Sequence, residues 1–77
     1  HLAARETATA AARDLCLAQN LEFLDGTVAL TSVSLIRQPS PPVSVRRVFQ
    51  FTYSPEGTTR HTGFVIMSGG RLDSIGL

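Results

Sequence analysis

The side chains best suited to chemistry in this 77-residue chain are two histidines, one cysteine and three serines at turns or strand edges, and their spacing keeps them apart. His61 follows Arg60 at the start of an extended run, His1 stands at the N-terminus, and no Cys, Asp or Glu sits at ligand spacing from either. A solvated strand histidine is the expectation, with no metal bound. Ser54, Ser68 and Ser74 lack the G-x-S-x-G context and the acid and base partners that would make one of them a nucleophile. Gly57 and the Gly69-Gly70 pair neither follow a strand nor open a helix, the geometry that aims backbone N–H groups at a phosphate, so they serve turns. Cys16 lies in an alanine-rich helical pattern and reads as a small buried hydrophobe. No catalytic residue, metal or cofactor is expected, and the chain reads as a non-enzyme.

One constellation has a chemical reading. Arg46 and Arg47 precede Phe49, Phe51 and Tyr53, and cations interleaved with aromatics on a sheet can hold single-stranded nucleic acid by stacking and charge. A binding module of that kind, using Arg46, Arg47 and Arg71, is the alternative function. Two observations weigh against it. The aromatics share one strand parity while Arg46 has the other, and seven arginines with no lysine against six carboxylates leave a net charge of only +1, too little for a broad basic field. Nucleic acid is not expected as a partner.

These residues need elements to position them. From Leu2 to Gln19 an alanine-rich stretch without Gly or Pro predicts a helix, with a small-residue stripe through Ala4, Ala8, Ala11, Leu15 and Ala18, joined by Ala12. Asn20 suits the left-handed position that ends a helix, with Leu21 packing back on the last turn. Leu21–Leu24 is an extended entry, Asp25-Gly26 a turn, and Thr27–Arg37 the first long strand, whose alternation changes phase and requires a bulge near Thr31-Ser32 or burial on both faces. Gln38–Pro42 holds three prolines and cannot join a ladder, so it is an exposed connection. Strands 43–53, 60–67 and 71–77 follow. The predicted fold is α+β: one domain over 1–77, with a helix at 2–19 packed on an antiparallel meander of four strands, or five if 21–24 pairs separately.

In the second strand Val43, Val45, Phe49, Phe51 and Tyr53 point toward the helix, while Arg47 interrupts the set and belongs near the sheet's end or edge. If residues 55–58 form the loop, Phe49 falls opposite Phe64 and Phe51 opposite Thr62, which makes Phe49, Phe51 and Phe64 the core centre. The opposite face then carries an apolar row of Val48, Val65 and Met67 flanked by Arg46 and His61. The last hairpin turns at Ser68-Gly69-Gly70, with either a two-residue or a bulged turn, and its terminal strand ends in Ile75 and Leu77. Arg46, Val48, Val65, Met67, Ile75 and Leu77 are therefore the candidate interface.

A chain this short buries only about 60% of its unfolded surface, and small cores lean on a partner or a staple. A single cysteine excludes an internal disulfide. No window reaches the roughly 20 apolar residues that span a bilayer. The chain starts in mid-pattern without a Met or a helix cap, which points to a longer parent.

The order of motifs resembles a proteobacterial domain-of-unknown-function family, number thirty-three-zero-one of that series. The resemblance runs through the helix ending at Asn20, Phe-Leu-Asp-Gly-Thr-Val-Ala-Leu at 23–30, Arg-Arg-Val-Phe-Gln-Phe-Thr-Tyr-Ser at 46–54, Arg-His-Thr-Gly at 60–63 and the closing Gly-Arg-Leu-Asp-Ser-Ile. The Pro-rich 38–42 segment departs from the family pattern. The resemblance implies small proteins anchored in the inner membrane by an N-terminal hydrophobic helix that is not among these residues, followed by an Arg-rich stretch of which Arg5 and Arg13 are the remainder. That favours the cytoplasmic side. The function expected is a non-catalytic, membrane-tethered interaction domain, binding a second copy or another envelope protein through a sheet face or edge.

Overall fold

The computed structural model describes residues 2–37, 39–40 and 42–77. Helix α1 spans Leu2–Ala18, and strands β1 Glu22–Arg37, β2 Val43–Ser54, β3 His61–Ser68 and β4 Arg71–Gly76 follow. The strands pair in sequence order as one antiparallel sheet. One helix on a four-stranded meander is the α+β architecture expected. Residues 21–24 add no fifth strand, because Glu22–Leu24 is the first part of β1, paired with Thr52–Ser54.

Alanine lets α1 form and also sets how it packs. Ala4, Ala8, Ala12 and Cys16 are the buried positions, a row at strict four-residue spacing. The expected stripe through Ala11, Leu15 and Ala18 is corrected: Ala11 and Leu15 are half-buried and Ala18 is exposed. Such an i, i+4 ridge runs obliquely to the helix axis, and its small side chains bring the backbone close to the sheet. The helix ends as its sequence requires. Asn20 has φ 58°, its N–H donates to the Leu17 carbonyl at 3.2 Å and the Leu21 N–H donates to the Cys16 carbonyl at 2.8 Å. Those two bonds make a Schellman closure, and Leu21 packs against the core.

The Asp25-Gly26 turn signal is a bulge inside β1. Leu24 pairs with Thr52 and Ala29 with Gln50, so four residues of β1 stand against Phe51 alone. Thr27 staples the excursion: its Oγ1 donates to the Leu24 carbonyl at 2.5 Å and accepts from the Thr52 N–H at 2.8 Å, replacing a ladder bond that the bulge removes. A second bulge, where the change of phase requires one, lies at Thr31, between the Leu30–Phe49 and Ser32–Val48 pairs, where the Thr31 hydroxyl donates to the Val48 carbonyl at 3.1 Å.

The β2–β3 register differs from expectation by one residue. Phe49 faces Val65, Gln50 faces Phe64 and Phe51 faces Gly63. Because side chains alternate faces, a one-residue slip exchanges the two faces of β3. Val65 and Met67 therefore lie buried beneath the helix beside Phe49 and Phe51, whereas Phe64 is 40% exposed on the far face. Ordering within the connecting loop accompanies this register. Ser54 is buried and its Oγ accepts from the Gly57 N–H at 2.7 Å, while Thr59 Oγ1 donates to the Glu56 carboxylate at 2.7 Å. The loop spans 55–60 rather than 55–58.

The last hairpin uses both expected devices. Ser68 pairs with Arg71 across Gly69-Gly70, and a register shift then leaves Asp73 as a bulge before Ile66 pairs with Ser74. Of the 38–42 connection, Pro39, Ser40 and Pro42 are exposed, and Gln38 and Pro41 lie outside the described residues.

Candidate interaction surface

The helix covers only part of the sheet, and two arginines show where. The Arg5 guanidinium donates to the Val28 carbonyl at 2.9 Å and sits 5.8 Å from the Phe49 ring centroid. Arg13 bridges to Asp25 at 2.9 Å and lies 5.7 Å from the Phe23 ring. These cation–π contacts and bonds fix α1 antiparallel to β1, its first turns at Phe49 and its last at Phe23. β1 and β2 continue past Phe49 as an arm that β3 still flanks along Arg46–Val48 and that is two-stranded only where Leu35, Ile36 and Arg37 pair with Val45, Ser44 and Val43. A strand rises about 3.3 Å per residue, so the 16-residue β1 sets the long axis of a body measuring 44 × 21 × 18 Å.

The arm carries apolar side chains with no described cover. Leu30, Val33 and Leu35 pair with Phe49, Arg47 and Val45, and Arg37 pairs with Val43, so the apolar members share the parity of the core face. Val33 is 57% and Leu35 72% exposed, and Leu30 and Val43 are also exposed. The sheet has two edges, β1 and β4, and they differ. On β4, Arg71 and Asp73 are charged, and Asp73 accepts from Ser68 at 3.2 Å and stands 3.9 Å from Arg46. On β1, residues 27–36 include no charge and no proline.

The expected interface residues do not form one surface. Val65 and Met67 are core residues, which corrects their assignment to a free face. Ile75 is half-buried and packed against that core. Leu77 is exposed at the end of the chain. Arg46 and Val48 remain on the face away from the helix, where the apolar row consists of Val48, Ile66 and Phe64. His61 is not on that row: it pairs with Tyr53 on the helix-side parity, the rings stacked at 5.5 Å and 24°. The more exposed apolar set was missed because the two-faced character of residues 27–36 did not show which half the helix would leave bare.

The arginines and aromatics of the nucleic-acid reading separate too. Arg46 and Arg71 share a cross-strand row through Ser68, with Asp73 beside Arg46. Arg47 has the opposite parity and is half-buried against the Met67 pair. Phe49 and Phe51 are buried and offer no ring to a base.

Cys16 is fully buried in the helix row and borders an open depression of about 290 Å³ with Arg13, Leu17, Leu21, Phe23 and Asp25. Burial pushes its thiol pKa up from the ordinary 9.0, which keeps the sulfur protonated and unreactive. Among the described residues no group of three or more His, Cys, Asp and Glu is placed to hold a metal ion, and no helix is long and apolar enough to cross a membrane.

A family model described as protein of unknown function (DUF3301) matches residues 1–77. The chain belongs to the DUF3301 family. No curated protein and no solved structure matches it. The DUF3301 match spans every element described above, from α1 through β4, and so includes both the helix-covered sheet and the bare arm.

Proposed function

We propose that this DUF3301 chain is a non-catalytic interaction domain, tethered to the inner membrane on its cytoplasmic side, that binds a second copy or another envelope protein through the surface of its sheet. The observation that carries the reading is the β1–β2 arm, where large apolar side chains on one face adjoin an uncharged strand edge. A soluble domain gains nothing by leaving Val33 and Leu35 in water, and exposed apolar surface beside an open edge is a pairing surface. The tether rests on the family resemblance. Sheet binding needs no catalytic group, and the scattered His61, Cys16 and serines supply none.

The test is photo-crosslinking in the cells that make the protein, with a benzophenone side chain replacing Leu35 and, as a control, Arg60. Adducts from position 35 and none from position 60, recovered with the membrane fraction, are the expected outcome. Absence of adducts at position 35 overturns the interaction reading, and recovery in the soluble fraction overturns the tether.

A further inference from the structure

We infer that the partner is a second copy of this chain, joined by antiparallel pairing of β1 with β1 about a twofold axis at Ser34. This rests on the interaction-domain reading and names its partner.

The choice follows from the contrast between the two sheet edges. β4 is six residues long, bulged at Asp73 and charged at Arg71 and Asp73, the devices that discourage edge pairing. β1 has its irregularities early. From Ser32 to Arg37 its register with β2 is unbroken, so its outer edge there presents a regular alternation of backbone N–H and C=O groups. A regular edge accepts a regular strand, and the chain's own β1 is one.

Self-pairing also suits the side chains. With the axis at Ser34, Val33 of each copy stands opposite Leu35 of the other, and Ser32 opposite Ile36. Directly opposed residues lie on the same face of an antiparallel ladder, so the apolar faces of both arms merge on the helix side into one stripe with Leu30 and Val43. The charges agree as well. Residues 32–36 are uncharged, and the two Arg37 side chains fall at opposite ends of the paired segment, about 20 Å apart at 3.3 Å per residue. That is beyond the screening length of physiological salt, about 8 Å, so no like-charge contact opposes the pairing. The product is a continuous eight-stranded sheet with both helices on one side. A single strand edge with its flanking side chains belongs to the small class of interfaces, below about 1,200 Å², so a weak, concentration-dependent dimer is expected.

Sedimentation of the chain from micromolar to millimolar concentration tests this, together with Val33→Lys/Leu35→Lys and Leu72→Lys variants whose folding is confirmed by their amide spectra. The wild type and Leu72→Lys should pass from monomer to dimer, and the double lysine variant should associate at least about tenfold more weakly. An oxidised Ser34→Cys variant should give a disulfide dimer far faster than Arg60→Cys, because the two positions 34 meet at the axis. A wild type that stays monomeric at millimolar concentration, or a double variant that dimerises unchanged, overturns β1 pairing. Slow crosslinking of Ser34→Cys in a confirmed dimer overturns the register. If the chain is monomeric while position 35 still crosslinks to a different protein in cells, self-pairing falls and the interaction reading stands.

Discussion

Phe51 and Gly63 face each other across β2 and β3, and the ring lies so close over the glycine that a Cβ there would stand 2.8 Å from Phe51 Cε2. Phe64 repeats the arrangement on the other face with Gly76, its own cross-strand partner, where a Cβ would stand 2.6 Å from Cζ. Glycine inside a strand marks a close approach, and here the approaching group is a phenylalanine ring each time.

Gly63→Ala should destabilise the domain by about 1–3 kcal/mol, since Phe51 is buried under the helix and overpacking in such a place cannot be relieved without moving the backbone. Gly76→Ala should cost less, because Phe64 is exposed and its ring can swing toward water. Urea denaturation of both variants checks the ordering, and equal losses would show that the two rings are equally confined.

Val65 separates the face expected from sequence from the face observed. As a buried neighbour of Phe49 and Met67, a carboxylate there would be left desolvated and unpaired. Val65→Glu should therefore unfold the domain, whereas Phe64→Glu should leave a cooperative melt. Far-UV circular dichroism and thermal denaturation of the pair decide it: a folded Val65→Glu variant would restore the register that puts Phe64 inside.

What was legible in the sequence was whatever local chemistry dictates: the alanine helix, its stop at Asn20, the bulge at Thr31, the parity of Phe49 and Phe51, and the proline-bearing connection. In β3 a glycine decides the register over an aromatic pair, since Phe51 packs on Gly63. Pairing Phe49 with Phe64 looked favourable strand by strand, yet it would have turned Gly63 outward and left the Phe51 ring nothing small to rest on. Gly63 was the available signal. The helix row was misplaced for a related reason, as alanines on several faces leave the contact stripe undetermined until the sheet selects Ala4, Ala8, Ala12 and Cys16. The uncovered arm was not legible at all, because how far α1 reaches along β1 depends on the anchoring of Arg5 and Arg13 to Val28 and Asp25, contacts between distant parts of the chain.

Asn20 should be replaceable by glycine with a small gain or no change and by alanine with a loss. Its φ of 58° is open to glycine and tolerated by asparagine, but a Cβ in the left-handed region costs roughly 1–2 kcal/mol in an ordinary residue. Thermal melts should rank Gly at or above Asn and clearly above Ala. An alanine variant as stable as the wild type would mean that the Leu21–Cys16 and Asn20–Leu17 bonds contribute nothing to ending the helix.

Acid should loosen the 55–60 loop through Glu56. The Thr59 hydroxyl bond holds its pKa below the ordinary 4.5, opposed next by desolvation and helped less by backbone and Thr58 bonds. A carboxylate whose folded pKa is depressed contributes stability above its unfolded value and loses it as pH falls through the folded value. The effect is therefore fully present at neutral pH and disappears only below about 4.5. Because the group is solvent-exposed the consequence is local: the Gly57 and Thr59 amide signals should titrate together with the Glu56 carboxyl, at a midpoint under 4.5, while the amides of Phe51 and Val65 stay unchanged. Glu56→Gln should abolish that titration and leave Ser54 still accepting from Gly57. A midpoint at or above 4.5, or amide shifts at Gly57 and Thr59 that persist in Glu56→Gln, would show that the carboxylate does not organise the turn and that the buried Ser54 hydroxyl holds it alone.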